Sequence, residues 1–125
     1  MITTAAPFLM FQGRCEEALT FYTGAVPGAR IVALDRKPDG KVAMARLDVG
    51  GLEILANDSP PVHDIDFTPS TSTFLTVDAA ADVDALAAAL GEGGKMHMPP
   101  DGYGFSQRLA WVQDRFGVSW QINLP

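Results

Sequence analysis

The stretch Trp111-Val112-Gln113-Asp114-Arg115-Phe116-Gly117-Val118-Ser119-Trp120-Gln121-Ile122 decides how the chain is read. Two strand-like segments flank a four-residue turn, Asp114 to Gly117. Glycine tolerates the positive φ that a short hairpin loop needs, so Gly117 fits the end of that turn. Asp114 has a carboxylate that can accept backbone N–H groups across it. After the turn, Val118, Trp120 and Ile122 alternate with Ser119, Gln121 and Asn123. A period of two with one apolar and one polar face is a half-buried strand. Trp120 is assigned to the core by this alternation, and Trp111 is left undecided. The polar face is where function is sought.

Working backward, the hairpin closes a unit that occurs twice. Strand-like Thr71 to Val77 is followed by Asp78 as a candidate N-cap. A helix over Ala79 to Leu90 has Val83, Leu86, Ala87 and Leu90 as its apolar stripe, and Gly91, Gly93 and Gly94 stop it. A short strand Lys95 to Met98, a loop Pro99 to Gly104, and strands Phe105 to Gln113 and Val118 to Leu124 complete the unit. The first half repeats the order. Strand Pro7 to Phe11 precedes a helix over Arg14 to Thr23, with Cys15, Ala18, Leu19, Tyr22 and Val26 on one stripe. Strands Arg30 to Arg36, Val42 to Val49 and Leu52 to Asn57 follow, separated by Pro38-Asp39-Gly40 and Gly50-Gly51. Between the halves, Ser59 to Ser70 carries Pro60, Pro61 and Pro69 without periodicity and reads as a linker. The expectation is a single domain over 1–125: module one over about 5–58, linker 59–70, module two over 71–125. The fold class is α+β. Paired βαβββ modules would form a concave mixed sheet with the helices outside.

Bulk properties exclude several classes. At 125 residues the chain can bury a core without disulfides or metals. Its net charge of -6 and scattered Lys and Arg lack the basic footprint of a nucleic-acid binder. One cysteine, Cys15, permits no intrachain disulfide and fits a reducing compartment. Met1 to Phe11 has no basic segment followed by a long apolar run, unlike a secretory signal. The Ala-rich stretch from Ala79 is too short and too charged to span a bilayer. The expected location is the cytoplasm, with no membrane or nucleic-acid partner.

The βαβββ repeat resembles the glyoxalase/bleomycin-resistance (vicinal oxygen chelate) superfamily, the fold shared with dihydroxybiphenyl dioxygenase. Two motifs carry the resemblance. One is Pro7-Phe8-Leu9-Met10-Phe11-Gln12-Gly13 with Glu17-Ala18-Leu19-Thr20-Phe21-Tyr22. The other is Asp114-Arg115-Phe116-Gly117-Val118-Ser119-Trp120-Gln121-Ile122. The ending is similar to the PhnB-like branch, labelled 3-demethylubiquinone 3-methyltransferase-like. The resemblance spans essentially the whole chain. It implies paired modules, a homodimer, and a divalent metal held by four inward side chains, typically His, Glu or Gln, that polarises substrate oxygens.

Carried onto this chain, the four ligand positions fall near Pro7, Leu55, Ser72 and Gln121, with Glu53 two residues from Leu55 on the same strand face. Proline and leucine offer no donor atom, serine is a poor ligand, and Gln121 supplies one neutral oxygen. The expectation is therefore no metal and no cofactor. His63, beside Asp64 and Asp66, is either a loop ligand or a solvated turn. His97 either points away from Met96 and Met98 or serves as a polar pocket group able to move a proton. Cys15 near a helix start is either an activated thiol or, from its place on the apolar stripe, simply buried. Tyr103 is either a lid over a ligand or a loop anchor.

Strand parity places Leu55, Asn57, Ser72, Phe74, Gln121 and Asn123 inward, with Arg46 and Tyr103 at the rim. Apolar walls with a few amides and hydroxyls are what a small-molecule pocket is built from. The leading expectation is a dimeric small-molecule binder that lacks the metal quartet. One alternative is a metal-dependent lyase, isomerase or dioxygenase using ligands such as Glu53, Gln121 and His63. The other is a methyltransferase, for which no Gly-rich nucleotide loop and no doubly wound pattern is present. The substrate, and whether turnover occurs at all, are not legible in the residues.

Overall fold

Alternation of small and apolar residues along 42–58 builds the first sheet. The computed structural model describes residues 1–125. It divides into two compact units, Met1–Ile65 and Asp66–Pro125, and the boundary falls inside the proline-containing 59–70 stretch. No helix is long and apolar enough to cross a membrane.

The first unit runs β1 (Phe8–Phe11), α1 (Cys15–Ala25), β2 (Arg30–Arg36), β3 (Val42–Val49) and β4 (Leu52–Asp58). Its sheet has the order β1-β4-β3-β2, with β1 parallel to β4 and the other pairs antiparallel. Side chains alternate between the two faces of a strand. Ala45, Leu47, Val49, Ile54 and Ala56 are accordingly buried on the face that receives α1, opposite Cys15, Ala18, Leu19 and Tyr22. The helix stripe matches the spacing of three and four in the sequence.

The N-terminus of α1 is held from a distance. Arg14 occupies the N-cap, and its side chain pairs with Glu17 and caps no backbone N–H. The buried carboxylate of Asp58, at the end of β4, accepts the N–H of Cys15 at 2.9 Å through Oδ1. Its Oδ2 accepts the N–H of Val42, also at 2.9 Å. One side chain therefore ties a helix start to the first residue of β3 and satisfies an otherwise orphan donor.

The second unit runs β5 (Ser72–Thr76), α2 (Ala80–Gly91), β6 (Lys95–Asp101), β7 (Arg108–Gln113) and β8 (Ser119–Leu124). Its sheet order, β5-β8-β7-β6, repeats the first, again with the outer first strand parallel to the last. Val83, Leu86, Ala87 and Leu90 of α2 are buried, as are Ala110, Val112, Trp120 and Ile122 of the sheet. Each unit is thus a βαβββ module with a helix against one face of a mixed sheet.

Most boundaries shift by one or two residues from the sequence reading, and three of the differences have a clear physical cause. The N-cap of α2 is Ala79, not Asp78, and no side chain caps it. Strand β6 continues past Met98 through Pro99 and Pro100 to Asp101, because two register shifts let an edge strand accommodate prolines. Strand β7 begins at Arg108, not Phe105, since residues 102–107 form a turn in which Ser106 N–H bonds back to Gly102. Gly94 is required by packing. A Cβ there would sit 2.0 Å from the Gln113 carbonyl oxygen and 2.7 Å from the Asp114 carbonyl carbon.

Candidate functional site

The hairpin between β7 and β8 is organised by one buried carboxylate. Gly117 adopts φ +94°, and its N–H bonds the Asp114 carbonyl at 2.9 Å. Asp114 Oδ1 accepts the N–H groups of Phe116 (2.8 Å) and Val118 (3.0 Å). Its Oδ2 accepts the indole N–H of Trp120 at 2.9 Å. The acidic residue, the glycine and the second tryptophan of this stretch are therefore one hydrogen-bonded unit. It sets the register of β8, and register decides which side chains reach the uncovered face.

On β8 that face carries Ser119, Gln121 and Asn123, while Trp120 and Ile122 lie fully buried toward α2. The register places Phe74 beside Gln121 on one side and Trp111 beside it on the other. Phe74 is 53% exposed although it sits mid-strand. Gln121 is half-buried, and its side chain makes no hydrogen bond within the chain. Trp111 is half-buried and belongs to this face, with its N–H donated to Ser119 Oγ at 2.8 Å.

The remaining polar groups of the face are paired. Ser72 and Ser119 hydroxyls meet at 2.6 Å, and Ser119 donates onward to the Pro69 carbonyl at 3.2 Å. Ser72 is thereby a fixed element of the sheet edge. Asn123 Oδ1 accepts the Ser106 hydroxyl at 2.6 Å. Tyr103 lies off the strands, in the turn, with φ +58°. Its hydroxyl donates to the Pro99 carbonyl and its ring stacks on Phe105 at 6.3 Å.

The first sheet has an uncovered face of its own. Leu55 and Asn57 lie on it, with Arg46 beside Leu55. The register corrects one position. Phe8 and Met10, not Pro7, stand beside Leu55 and Asn57, because Pro7 precedes β1 and has the opposite parity. The Pro7 carbonyl instead accepts the Leu55 N–H at 2.9 Å. Glu53 is engaged by Arg46 in an ion pair. The Asn57 side-chain oxygen is sealed from solvent without a hydrogen-bond partner, an arrangement few native side chains tolerate.

These placements test the implied metal. By register, Phe8 stands beside Leu55 and Phe74 beside Gln121, and Ser72 lies two residues before Phe74 on the same face, so the set offers one amide oxygen and a hydroxyl. Dehydrating a divalent ion requires charged or imidazole ligands that this set lacks. Nowhere do three His, Cys, Asp or Glu side chains gather as a metal-binding group, and His63 is exposed. S-adenosylmethionine, which the branch label implies, has no doubly wound parallel sheet to bind. Each sheet contains a single parallel pair.

Two residues, Gln113 and Asp58, escape the sequence reading, which leaves two others, His97 and Cys15, open. Met96 pairs with core-facing Val112, so His97 turns to the uncovered face, with its ring 4.6 Å from that of Trp111 and its Nε2 3.0 Å from Gln113 Oε1. Gln113 was visible as part of the Leu109, Trp111, Gln113 alternation. Asp58 carried one signal, a carboxylate at a core-facing strand position. Cys15 is fully buried, and its thiol is pushed up to about 12 by desolvation first, then by the charges of Asp58 and Glu16. It is a structural thiol.

Known proteins share this architecture. The PhnB protein from Bacillus cereus is 33% identical, with 98% of this chain and 100% of that chain covered and a TM-score of 0.91. Protein PA1353 from Pseudomonas aeruginosa is 30% identical, with 98% of each chain covered and a TM-score of 0.86. A glyoxylase/bleomycin resistance protein/dioxygenase domain from a Frankia species, 15% identical over 99% of this chain and 98% of that one, shares the fold at a TM-score of 0.73. No curated protein sequence matches the chain. A model of the family described as 3-demethylubiquinone-9 3-methyltransferase matches residues 3–123. The chain belongs to that family, the PhnB-like branch of the vicinal oxygen chelate superfamily.

Proposed function

We infer that this protein is a small-molecule binder that takes an apolar or aromatic ligand non-covalently, without the metal quartet of its superfamily. The observation that carries the reading is the row Phe74–Gln121–Trp111. An exposed phenyl ring, an amide with no partner in the chain and an indole edge lie side by side on the face away from α2. Strand neighbours are ~4.8 Å apart, so the two rings flank Gln121 at about the width of a bicyclic ligand. Exposed aromatic surface gains by covering, and the amide adds one oriented hydrogen bond. The proposed assembly is a homodimer, as the resemblance implies, and the proposed location is the cytoplasm, as the single cysteine suggests.

The test is a thermal-shift screen of planar aromatic compounds against the wild type, Phe74→Ala and Gln121→Leu, with metal content measured on protein purified without chelator. Hits that stabilise the wild type and lose their effect in both variants support the reading. A stoichiometric divalent ion, lost in Gln121→Leu, overturns it in favour of a metal enzyme. Light scattering during size exclusion reports the dimer.

A further inference from the structure

The hydrogen bonds around Gln113 fix the protonation pattern of His97. The carbonyl oxygen of Gly117 can only accept, so the Gln113 atom 3.1 Å from it must be the amide nitrogen. The other end, Oε1, then faces His97 Nε2 at 3.0 Å. An oxygen acceptor there requires that Nε2 carry the hydrogen. In neutral imidazole one nitrogen donates and the other accepts. Nδ1 is therefore the bare, basic nitrogen, and it makes no hydrogen bond within the chain.

From this we propose that His97 Nδ1 is the proton acceptor of the second sheet's binding face, and that the ligand is a planar molecule bearing an acidic ring hydroxyl. The proposal rests on the binding reading above. His97 stands at the Trp111 end of the Phe74–Gln121–Trp111 row, with its ring 4.6 Å from the indole and tilted by 34°. On binding, the ligand O–H bond breaks and leaves its electron pair on oxygen, while a new N–H bond forms at Nδ1. Nothing is oxidised or reduced. The resulting imidazolium keeps its Nε2–H on the Gln113 oxygen and its place against the Trp111 ring.

Other charges nearby are few. Lys95 lies two residues before His97 on β6 in register with Gln113, and Lys95, Asp66, Asp114 and Arg115 border the same recess of about 320 Å³ as Gln113. The side chains of β7 and β8 on this face, Leu109, Trp111, Gln113, Ser119, Gln121 and Asn123, are all uncharged. Gln113 is a positioning residue. Held by the hairpin turn, it determines which imidazole nitrogen is free.

The probe is umbelliferone, whose excitation spectrum reports ionisation of its ring hydroxyl, compared with its methyl ether, which has no proton to give. At about pH 7, umbelliferone is expected to bind about tenfold more tightly than the ether and to be bound as the anion. His97→Phe, which keeps a ring against Trp111, should reduce umbelliferone to the affinity of the ether and leave the ether unchanged. Equal binding of the two compounds, or a preference that survives His97→Phe, overturns the role of His97 and leaves the binding reading standing. Binding of neither compound overturns both. Long-range proton–nitrogen NMR correlations on the free protein give an independent check. They should show His97 with Nε2–H and bare Nδ1, and a tautomer mixture in Gln113→Leu. The opposite tautomer in the wild type overturns the proposal.

Discussion

The Asp114 carboxylate receives the indole N–H of Trp120 at 2.9 Å, six residues away and entirely out of solvent. That bond joins the turn of the last hairpin to the core of the second module. Asp114→Asn keeps the shape but replaces one acceptor by an N–H₂ group facing a donor. The expected loss is about 2 kcal/mol in urea unfolding, larger than an exposed turn Asp would cost, because buried N–H groups are left unpaired. Trp120→Phe should cost a similar amount through the orphaned carboxylate oxygen and the volume removed.

Gly94 offers a sharper test of packing. A methyl group there would overlap the backbone of Gln113 and Asp114, with contacts of 2.0 and 2.7 Å. Backbone cannot swing aside as a flexible side chain can. Gly94→Ala is expected to destabilise by at least ~3 kcal/mol or to prevent folding. Gly104→Ala, with open space around its Cβ position, should be tolerated apart from the strain of its positive φ. Thermal denaturation of the two variants separates the cases.

Cys15 makes the alkaline limb of stability predictable. Its thiol rises from 9.0 to about 12 on folding. Above the unfolded value, the unfolded chain has released the proton while the folded chain still holds it. Unfolding then releases a proton, and stability falls as pH increases from about 9 toward 12. Cys15→Ala should lose less stability over that window than the wild type. Chemical denaturation at several alkaline pH values measures the difference, and parallel curves would contradict it.

Asp58 connects two of these effects. Asp58→Asn leaves one of its two backbone donors facing an amide N–H₂, at a cost of about 1–2 kcal/mol. It also removes a negative charge that raises the Cys15 thiol. The thiolate ultraviolet absorbance of the variant should therefore appear at lower pH than in the wild type. Loss of stability without that shift would mean that the Asp58 charge does not contribute to raising the thiol.

Much of this architecture is legible in residue order, and the exceptions have physical causes. The Val118-to-Asn123 alternation correctly separated core Trp120 from outward Gln121, because β8 runs unbroken against two neighbours. Parity failed at Pro7, where a four-residue strand gives too few alternations to set the phase and Phe8 takes the place beside Leu55. At His97 the residues leave two placements open, and the contacts with Trp111 and Gln113 put it on the uncovered face, while the register shift that follows brings Met98 beside Trp111. Asp58 and Asp114 share a chemical role, yet only Asp114 has its partners nearby in sequence. Asp58 reaches back 43 residues to Cys15, and no local pattern announces such a bond.

The parallel pairing of the outer strands bears on how each module is made. Ser72 meets Ser119 across 47 residues, and Phe8 meets Leu55 at the same separation. Neither sheet can be completed until the last strand of its module has been synthesised. The first strand waits beside a helix that is uncapped until Asp58 emerges. Closing such long loops before any contact rewards them slows folding relative to nested hairpins. Of each module's elements, the β2–β3–β4 and β6–β7–β8 meanders can form early from local pairings. The arrival of β1 or β5 is then the late event that commits the module to its native state.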